Sequence, residues 1–599
     1  MSNFYKIALV LFAIFFMTAC GGGGGDNSVA NENTEVTNSE LNTSSDTSID
    51  DSSDNSTKTS VDSITDSSTP ECNTTQSIPE CNTTTVTAPL SYKGLQFFYE
   101  PLDSASYKLE QLSDSDFNAL SQENRLKVAN KLLNTLFFGY ELPELKDKIN
   151  QGNFITSVQN GLKEQTTDIG WLESYILNDE FFDQYTYYEP QAITILTRFY
   201  TMQELDKYYL DNWMAYILTQ TIMFSPAYEL ASTHYSNIAN VYNRIVTMSQ
   251  DGYGMRFITY IHMSSEDNWR RFRSPEDNGR EMLEIYLLDT KDSDVPLAAK
   301  ALQNWKLNTD SDTLEIGLNV NTEPISLFST TIYTGDDFYR ELVKSNDFVY
   351  GVTTRLVDFF FTDYSQSDKE DIVKTVVSSN PETWQDILLQ IIFSKEYLLN
   401  NQRAQSAEET FFSLAKKMNF RHKKSTFYYF KYYLDKMNQA TMKYKLGKLE
   451  RVPLDSLSFA NYHKFIREYV FLNVAYEDET DLTSWKYDGW LNSDFVDYDK
   501  FNYDENKPIE SLENIINYIF NSIIARDATA DEMELFKTHM LTERDEELVL
   551  KYEFNFCYVN EDDPEYQQEL RDSNKRHIAV LVLDYISRLE ETYMQREVK

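Results

Sequence analysis

From about Leu90 onward, apolar residues recur at three- and four-residue steps. Leu126, Ala129, Leu132, Leu133 and Leu136 form one such series, the stripe that an amphipathic helix buries. Gly139 follows as a C-cap, Pro143 suits the first turn of a second helix, and Gly152 would end it. A similar stripe near the other end runs through Ile578, Val582, Tyr585, Ile586, Leu589 and Tyr593. Residues 193–224, 281–304, 339–361, 384–418 and 508–541 repeat the pattern, and Asn380-Pro381 before Trp384 marks a helix start. Strict alternation is scarce; residues 313–333 are the best candidate for a short hairpin. The expected fold class is all-α, a large multi-helix domain with short loops and at most one small β-hairpin.

The first 90 residues follow another pattern. Lys6 precedes an apolar run, Ile7 to Met17, of signal-peptide length and too short for a permanent membrane span. Met17-Thr18-Ala19-Cys20 resembles a bacterial lipobox, with Met where Leu is usual, and predicts lipidation at Cys20. The Gly21–Gly25 run reads as a flexible tether. Gly21, not Asp, follows the cysteine, which favours the outer membrane of a Gram-negative cell, at its periplasmic face or on the cell surface. The next stretch is Ser, Thr, Asn and Asp with almost no aromatics, so it cannot bury enough apolar surface to fold. Within it, PECNTTQSI and PECNTTT place Cys72 and Cys81 nine residues apart; they read as a local disulfide or as two free thiols. Cys557 reads as a core position. The expected organisation is a signal peptide over 1–19, a disordered tether over 20–89, a helical domain over 90–445 and its C-terminal helical part over 446–599.

Charge narrows the class. The 599 residues carry 95 acidic against 54 basic side chains, a net −41, which argues against a nucleic-acid partner. Four cysteines are too few for a disulfide scaffold, and the six histidines form neither HExxH nor a helical His-x3-His pair. GxSxG, GxGxxG, GxxxxGKS/T and CxxC are absent.

Residues 274–305 read SPEDNGREMLEIYLLDTKDSDVPLAAKALQNW. The segment resembles the bacterial "domain of unknown function 1800" family, in which a NENYAREL-like stretch precedes an ALTGW-like one. Glu276, Gly279 to Glu284, Asp294-Val295 and Ala301 to Trp305 fill those places. Leu132 to Gly139 looks like the family's opening HLLNRATFG segment. Ile391 to Leu399 and Ala407 to Met418 look like its later PLEF…LRALG segment. The resemblance spans about residues 120–590 and implies an exported bacterial protein, often paired with an exported companion. The family's FWHNHF-like motif is matched by WMAYILTQTIMF over 213–224. That stretch lacks histidine, and a second family histidine has no match near Asn321 to Phe328, so any histidine chemistry of the family is lost here.

The densest chemistry lies at Trp269, Arg270, Arg271 and Arg273, followed by Glu276, Arg280, Glu281 and Glu284. The three arginines beside Trp269 and Phe272 could clamp a carboxylate or sugar acid, with Trp305 as a further binding candidate, and Glu276 with Glu281 could serve as paired carboxylates in glycoside chemistry. The alternative is a set of structural ion pairs, with Arg280 and Glu284 bracing the packing. No cofactor is expected, although Asp310-x-Asp312 and Asp497-x-Asp499 with Asp504 could coordinate calcium. Between Lys416 and Arg451, eleven basic residues stand against two acidic ones, interleaved with aromatics. That strip would neutralise the molecule's own acidic surfaces, bind an anionic glycan or lipid headgroup, or dock an acidic partner. The expected function is a cell-envelope lipoprotein acting as a binding or assembly factor for an exported partner or surface polymer. The alternative is a glycan-acting hydrolase using Glu276, Glu281 and Arg280.

Overall fold

Helix starts are written locally in this chain. Ser113, Thr334, Thr383, Ser406 and Thr529 each accept from the backbone N–H three residues on. In each case the acidic residue there returns a bond to the cap. The computed structural model describes residues 109–168, 188–223, 238–288, 291–308, 310–311, 313–317, 321, 323–419, 424–437, 439, 456–466, 500–504, 506–544, 547–550, 575 and 578–598. Cys20, Cys72, Cys81, Cys557, the tether and the 445/446 boundary lie outside them.

The described residues open with α1 (Asp114–Ala119), α2 (Gln122–Thr135), α3 (Leu142–Asn150) and α4 (Phe154–Gly161). Next come α5 (Tyr188–Thr201), α6 (Lys207–Thr221), α7 (Ile238–Gln250), α8 (Met255–Met263) and α9 (Glu266–Arg271). Then follow α10 (Pro275–Leu287), α11 (Val295–Leu302), α12 (Gly335–Lys344), α13 (Asn346–Phe360), α14 (Gln366–Ser378) and α15 (Trp384–Ile392). A π-helical turn, Glu396–Asn400, leads to α16 (Ala407–Lys417), α17 (Lys424–Lys436) and α18 (Ser456–Phe465). The last helices are α19 (Pro508–Ile524), α20 (Ala530–Met540) and α21 (578–586). Helix takes up 68% of the described residues, so the all-α class holds.

Among the described residues strands appear only as two-stranded antiparallel pairs. β1 (Trp305–Asn308) pairs with β2 (Thr313–Ile316), and β3 (Ile325–Leu327) with β4 (Thr330–Ile332). β5 (Arg403–Ala404) pairs with the C-terminal β8 (Met594–Gln595), and β6 (Leu541–Arg544) with β7 (Glu547–Leu550). The single hairpin expected over 313–333 is therefore two. The first begins at Trp305, whose core-facing side chain the family-like motif had hidden. The β6–β7 hairpin falls beyond a stretch that reads as continuous helix, and the β5–β8 pair joins segments too distant for periodicity to report.

The 193–224 stripe breaks into α5 and α6, because Asp206 caps a new helix through the N–H of Tyr209 at 2.9 Å. Every residue of α6 from Tyr208 to Thr221 is buried, as is α16 from Ala407 to Ala415. Tyr216 on α6 donates to Glu408 Oε1 on α16 at 2.6 Å. Around this pair, α2 packs against α3, α16 and α19, α5 against α17, and α10 against α11 and α13. One continuous apolar core runs from Leu109 to Tyr593, and all described residues belong to one unit, Thr83–Lys599. Pro143 and Gly152 stand where expected, at the start of α3 and at the turn after it. Gly139 does not cap α2. Phe137 takes the left-handed conformation there, at φ 59°. A Cβ on Gly139 would meet Lys417 Cγ at 2.7 Å and the Ser413 carbonyl at 2.8 Å. The glycine is required by the close approach of α16.

Candidate functional site

Ser265 starts α9 and turns Asp267 and Trp269 inward; both are buried. Asp267 is shared by two arginines. Arg270 Nη1 lies 3.0 Å from its Oδ1, and Arg244 from α7 bonds its Oδ2. Arg271 is buried beside the Phe272 ring, 5.9 Å from its centroid, and Arg273 donates to the Arg270 carbonyl at 3.1 Å. Arg244 and Arg270 thus brace α7 and α9 through Asp267. Trp269 and Trp305 stack at 5.9 Å, and Trp269 Nε1 donates to Tyr339 Oη at 3.0 Å. Tyr339 passes the bond to Asn278 Oδ1 at 2.7 Å. With 0% and 6% of their surface exposed, the indoles, both expected as binding residues, present no face to a ligand.

The carboxylates and Arg280 are placed differently again. Glu276 lies in the exposed first turn of α10, and Arg280 sits 3.7 Å from it and 3.7 Å from Asp292, with 41% of its side chain exposed. Arg280 is therefore a surface residue, not the buried partner of Glu284. Burial lowers the pKa of Arg355, and Asp358, then Glu284 and Glu281, offset part of that fall. Five residues of α-helix turn by about 140°, so Glu276 and Glu281 do not face each other across a cleft. Gly279 explains much of the family-like segment: a Cβ there would meet Ala298 Cβ at 2.8 Å. The segment is the contact between α10 and α11.

The basic strip divides. Lys416 Nζ donates to the carbonyls of Tyr200 (3.0 Å) and Met202 (2.7 Å) and to Gln203 Oε1 (3.3 Å). The rings of Phe138 and Tyr200 flank it at 5.4 and 5.2 Å. Three oxygen acceptors and two ring faces form a cation's environment, although burial pushes its pKa down to about 7. Lys417 is buried on Asn134 Oδ1 at 2.9 Å, with its pKa also pushed by burial to about 7. Lys431 pairs with Asp435 on its own helix at 3.0 Å. At these three positions the cations meet backbone carbonyls, Asn134 and Asp435. Residues 421–423 and 440–455 lie outside the described residues.

A buried polar centre matches no sequence motif. Tyr397 Oη accepts from Arg403 at 2.6 and 3.2 Å, shares a bond with Thr135 at 2.8 Å and donates to Gln595 at 3.1 Å. Arg403 forms a two-pronged ion pair with Glu409, one bond of 2.9 Å. Burial opposes the guanidinium charge, yet Glu409 and Tyr397 hold its pKa above the usual arginine value. Beside it Lys131 Nζ donates to Asn401 O at 2.5 Å, with its pKa pushed by burial down to about 7. The one available signal was Lys131 itself, a charge inside the apolar run of α2.

A cleft of about 390 Å³ lies between α3, α4 and the 203–206 turn. Tyr140, Glu144, Lys148, Glu164, Gln203 and Glu204 line it. Lys148 lies 4.5 Å over the Tyr140 ring and 3.4 Å from Glu144. Burial, then Glu144 and Glu204, raises the Tyr140 phenol. Asp206 closes the floor, accepting from Thr167 N at 2.8 Å and Oγ1 at 2.5 Å; burial would raise its pKa, but these bonds hold it low. Among the described residues no group of three or more His, Cys, Asp or Glu side chains could hold a metal ion. Asp312, Asp497 and Asp499 of the calcium expectation lie outside them. Among the described residues no helix is long and apolar enough to cross a membrane.

No family model, curated protein or solved structure matches this chain. The likeness to the domain of unknown function 1800 family therefore rests on the segments quoted above.

Proposed function

We propose that the chain is a lipoprotein of the Gram-negative outer membrane, lipidated at Cys20, that serves as a binding or assembly factor for an exported partner or surface polymer. We place it with the domain of unknown function 1800 proteins. The observation that carries the reading is MTAC after an apolar run, followed by a glycine run and then one large helical unit. That order describes a lipid, a spacer and a presented body. Recognition is assigned to the cleft at Tyr140, Glu144 and Glu204, whose polarity suits a partner presenting cationic groups. Cys20→Ser should release the protein from membranes; unchanged attachment refutes lipid anchoring. A photocrosslinker placed at Tyr140 in cells should capture an exported protein or polysaccharide that the same probe at exposed Tyr333 does not. Equal capture at both positions, or none at Tyr140, removes the cleft from the reading.

A further inference from the structure

Two lysines meet one pair of rings, and they are held very differently. The rings of Phe138 and Tyr140 pack edge-on at 5.1 Å. Lys416 takes the Phe138 ring and has three oxygen acceptors besides. Lys148 takes the Tyr140 ring, inside the cleft, at 4.5 Å. Its ion pair is a single oxygen of Glu144 at 3.4 Å, one helical turn back on α3, and its side chain is 38% exposed. A Glu–Lys pair of this spacing on a helix surface is weak. Lys416 is therefore fixed in place, whereas Lys148 is an occupant that can leave for water.

The cleft offers more than this one cation uses. Glu144 and Glu204 both act on the Tyr140 phenol, after burial, to raise its pKa. Glu204 accepts from Thr166 Oγ1 through Oε2 at 2.5 Å, and its Oε1 has no partner among the described residues. Glu164 adds a third carboxylate to the lining. Beneath them the cleft is apolar, with Phe154, Val158 and Leu205 buried along it. Gly161 lets α4 approach the 203–206 turn, since a Cβ there would meet the Leu205 carbonyl at 3.0 Å. A ring face attracts a cation, carboxylates accept its N–H bonds, and apolar walls take a methylene stem. Together they are the complement of an alkylammonium, and Lys148 shows that one fits.

We propose that this cleft binds a primary alkylammonium group, either a lysine side chain of a partner protein or a free amine, and that Lys148 is an internal competitor which the ligand displaces. The incoming ammonium takes the Tyr140 face between Glu144 and Glu204, and its stem lies along Phe154, Val158 and Leu205. The inference rests on the assignment of recognition to this cleft and names the group recognised.

The test places a fluorinated tyrosine at position 140 of the full-length protein in detergent and follows its fluorine resonance during titration. Nα-acetyl-lysine N-methylamide should shift the resonance saturably. Its Nε-acetylated form, with the same stem and no charge, should not. Lys148→Ala should lower the midpoint concentration about three- to tenfold, because a ring contact and an ion pair no longer compete. Adding Glu204→Gln to Lys148→Ala should raise the midpoint again. Cadaverine separates the two sources: a midpoint below that of the capped lysine assigns the site to a free amine, and one above it to a protein lysine. No saturable shift with either amine, an equal shift with the acetylated form, or a midpoint that Lys148→Ala leaves unchanged overturns the proposal. If the photocrosslinker at Tyr140 captures a partner while the titration fails, the cleft stands and the ammonium assignment falls. A saturable titration without capture supports the ammonium site and removes the partner, so the two readings fail separately.

Discussion

At the scale of the residue, the chemistry that looked functional is mostly held inward. Trp269 is the clearest case: its ring stacks on Trp305 and its N–H feeds the Tyr339–Asn278 chain. Trp269→Ala should cost about 3–5 kcal/mol in unfolding free energy, whereas Arg280→Ala, on an exposed pair, should cost at most about 1 kcal/mol. Urea titration of both variants checks the contrast. The buried lysines give a pH signature. Lys131 and Lys417 have pKa values of about 7 in the fold against about 10.4 unfolded. Between those values the unfolded chain binds more protons, so stability rises with pH and is lowest at and below neutrality. The slope approaches about 1.4 kcal/mol per pH unit for each group. Lys417→Met should flatten the rise in unfolding free energy between pH 7 and 9.5; an unchanged slope means that Lys417 stays charged in the fold.

At the scale of the element, short side-chain caps and close helix crossings decide where each helix begins and what it touches. Thr383 starts α15 through a reciprocal bond with Asp386, so Thr383→Ala should cost about 0.5–2 kcal/mol by thermal or urea unfolding. Gly139→Ala should cost more, about 1–3 kcal/mol, because the new methyl meets backbone of α16 as well as a side chain. If Gly139→Ala is neutral, α16 can withdraw without loss. Helices were largely legible from periodicity: α2, α3, α12, α13, α15, α19 and α20 fall inside the expected stretches or at their edges. Where one expected stretch became two helices, as over 193–224, the signal was a polar cap inside an apolar run. The hairpins at 305–316 and 541–550 were less legible, since strands of four residues carry too few positions for period two to stand out.

At the scale of the whole molecule, charge sets the working conditions. A net −41 opposes compactness through self-repulsion. The described basic strip relieves this little, because Lys416 and Lys417 turn to carbonyls and to Asn134. Raising sodium chloride from low concentration to about 0.5 M, where the Debye length falls to about 4 Å, should therefore raise the melting temperature. A fall instead would show that ion pairs such as Arg526–Glu532 and Arg244–Asp267 outweigh the repulsion.

The sequence by itself determined the class of the fold and supplied the expectation of a lipid-anchored address, because both readings use local signals. Helical periodicity needs only neighbouring residues, and a signal run with MTAC needs only twenty. It also marked 274–305 as a special segment. Tertiary structure alone decided what that segment does: Gly279 and Trp305 serve a helix crossing and an aromatic stack. It alone also brought Thr135, Tyr397 and Gln595 to one buried point. The reason is physical. Burial and hydrogen-bond partnership are properties of residue pairs hundreds of positions apart, and the identity of either partner carries no mark of the other.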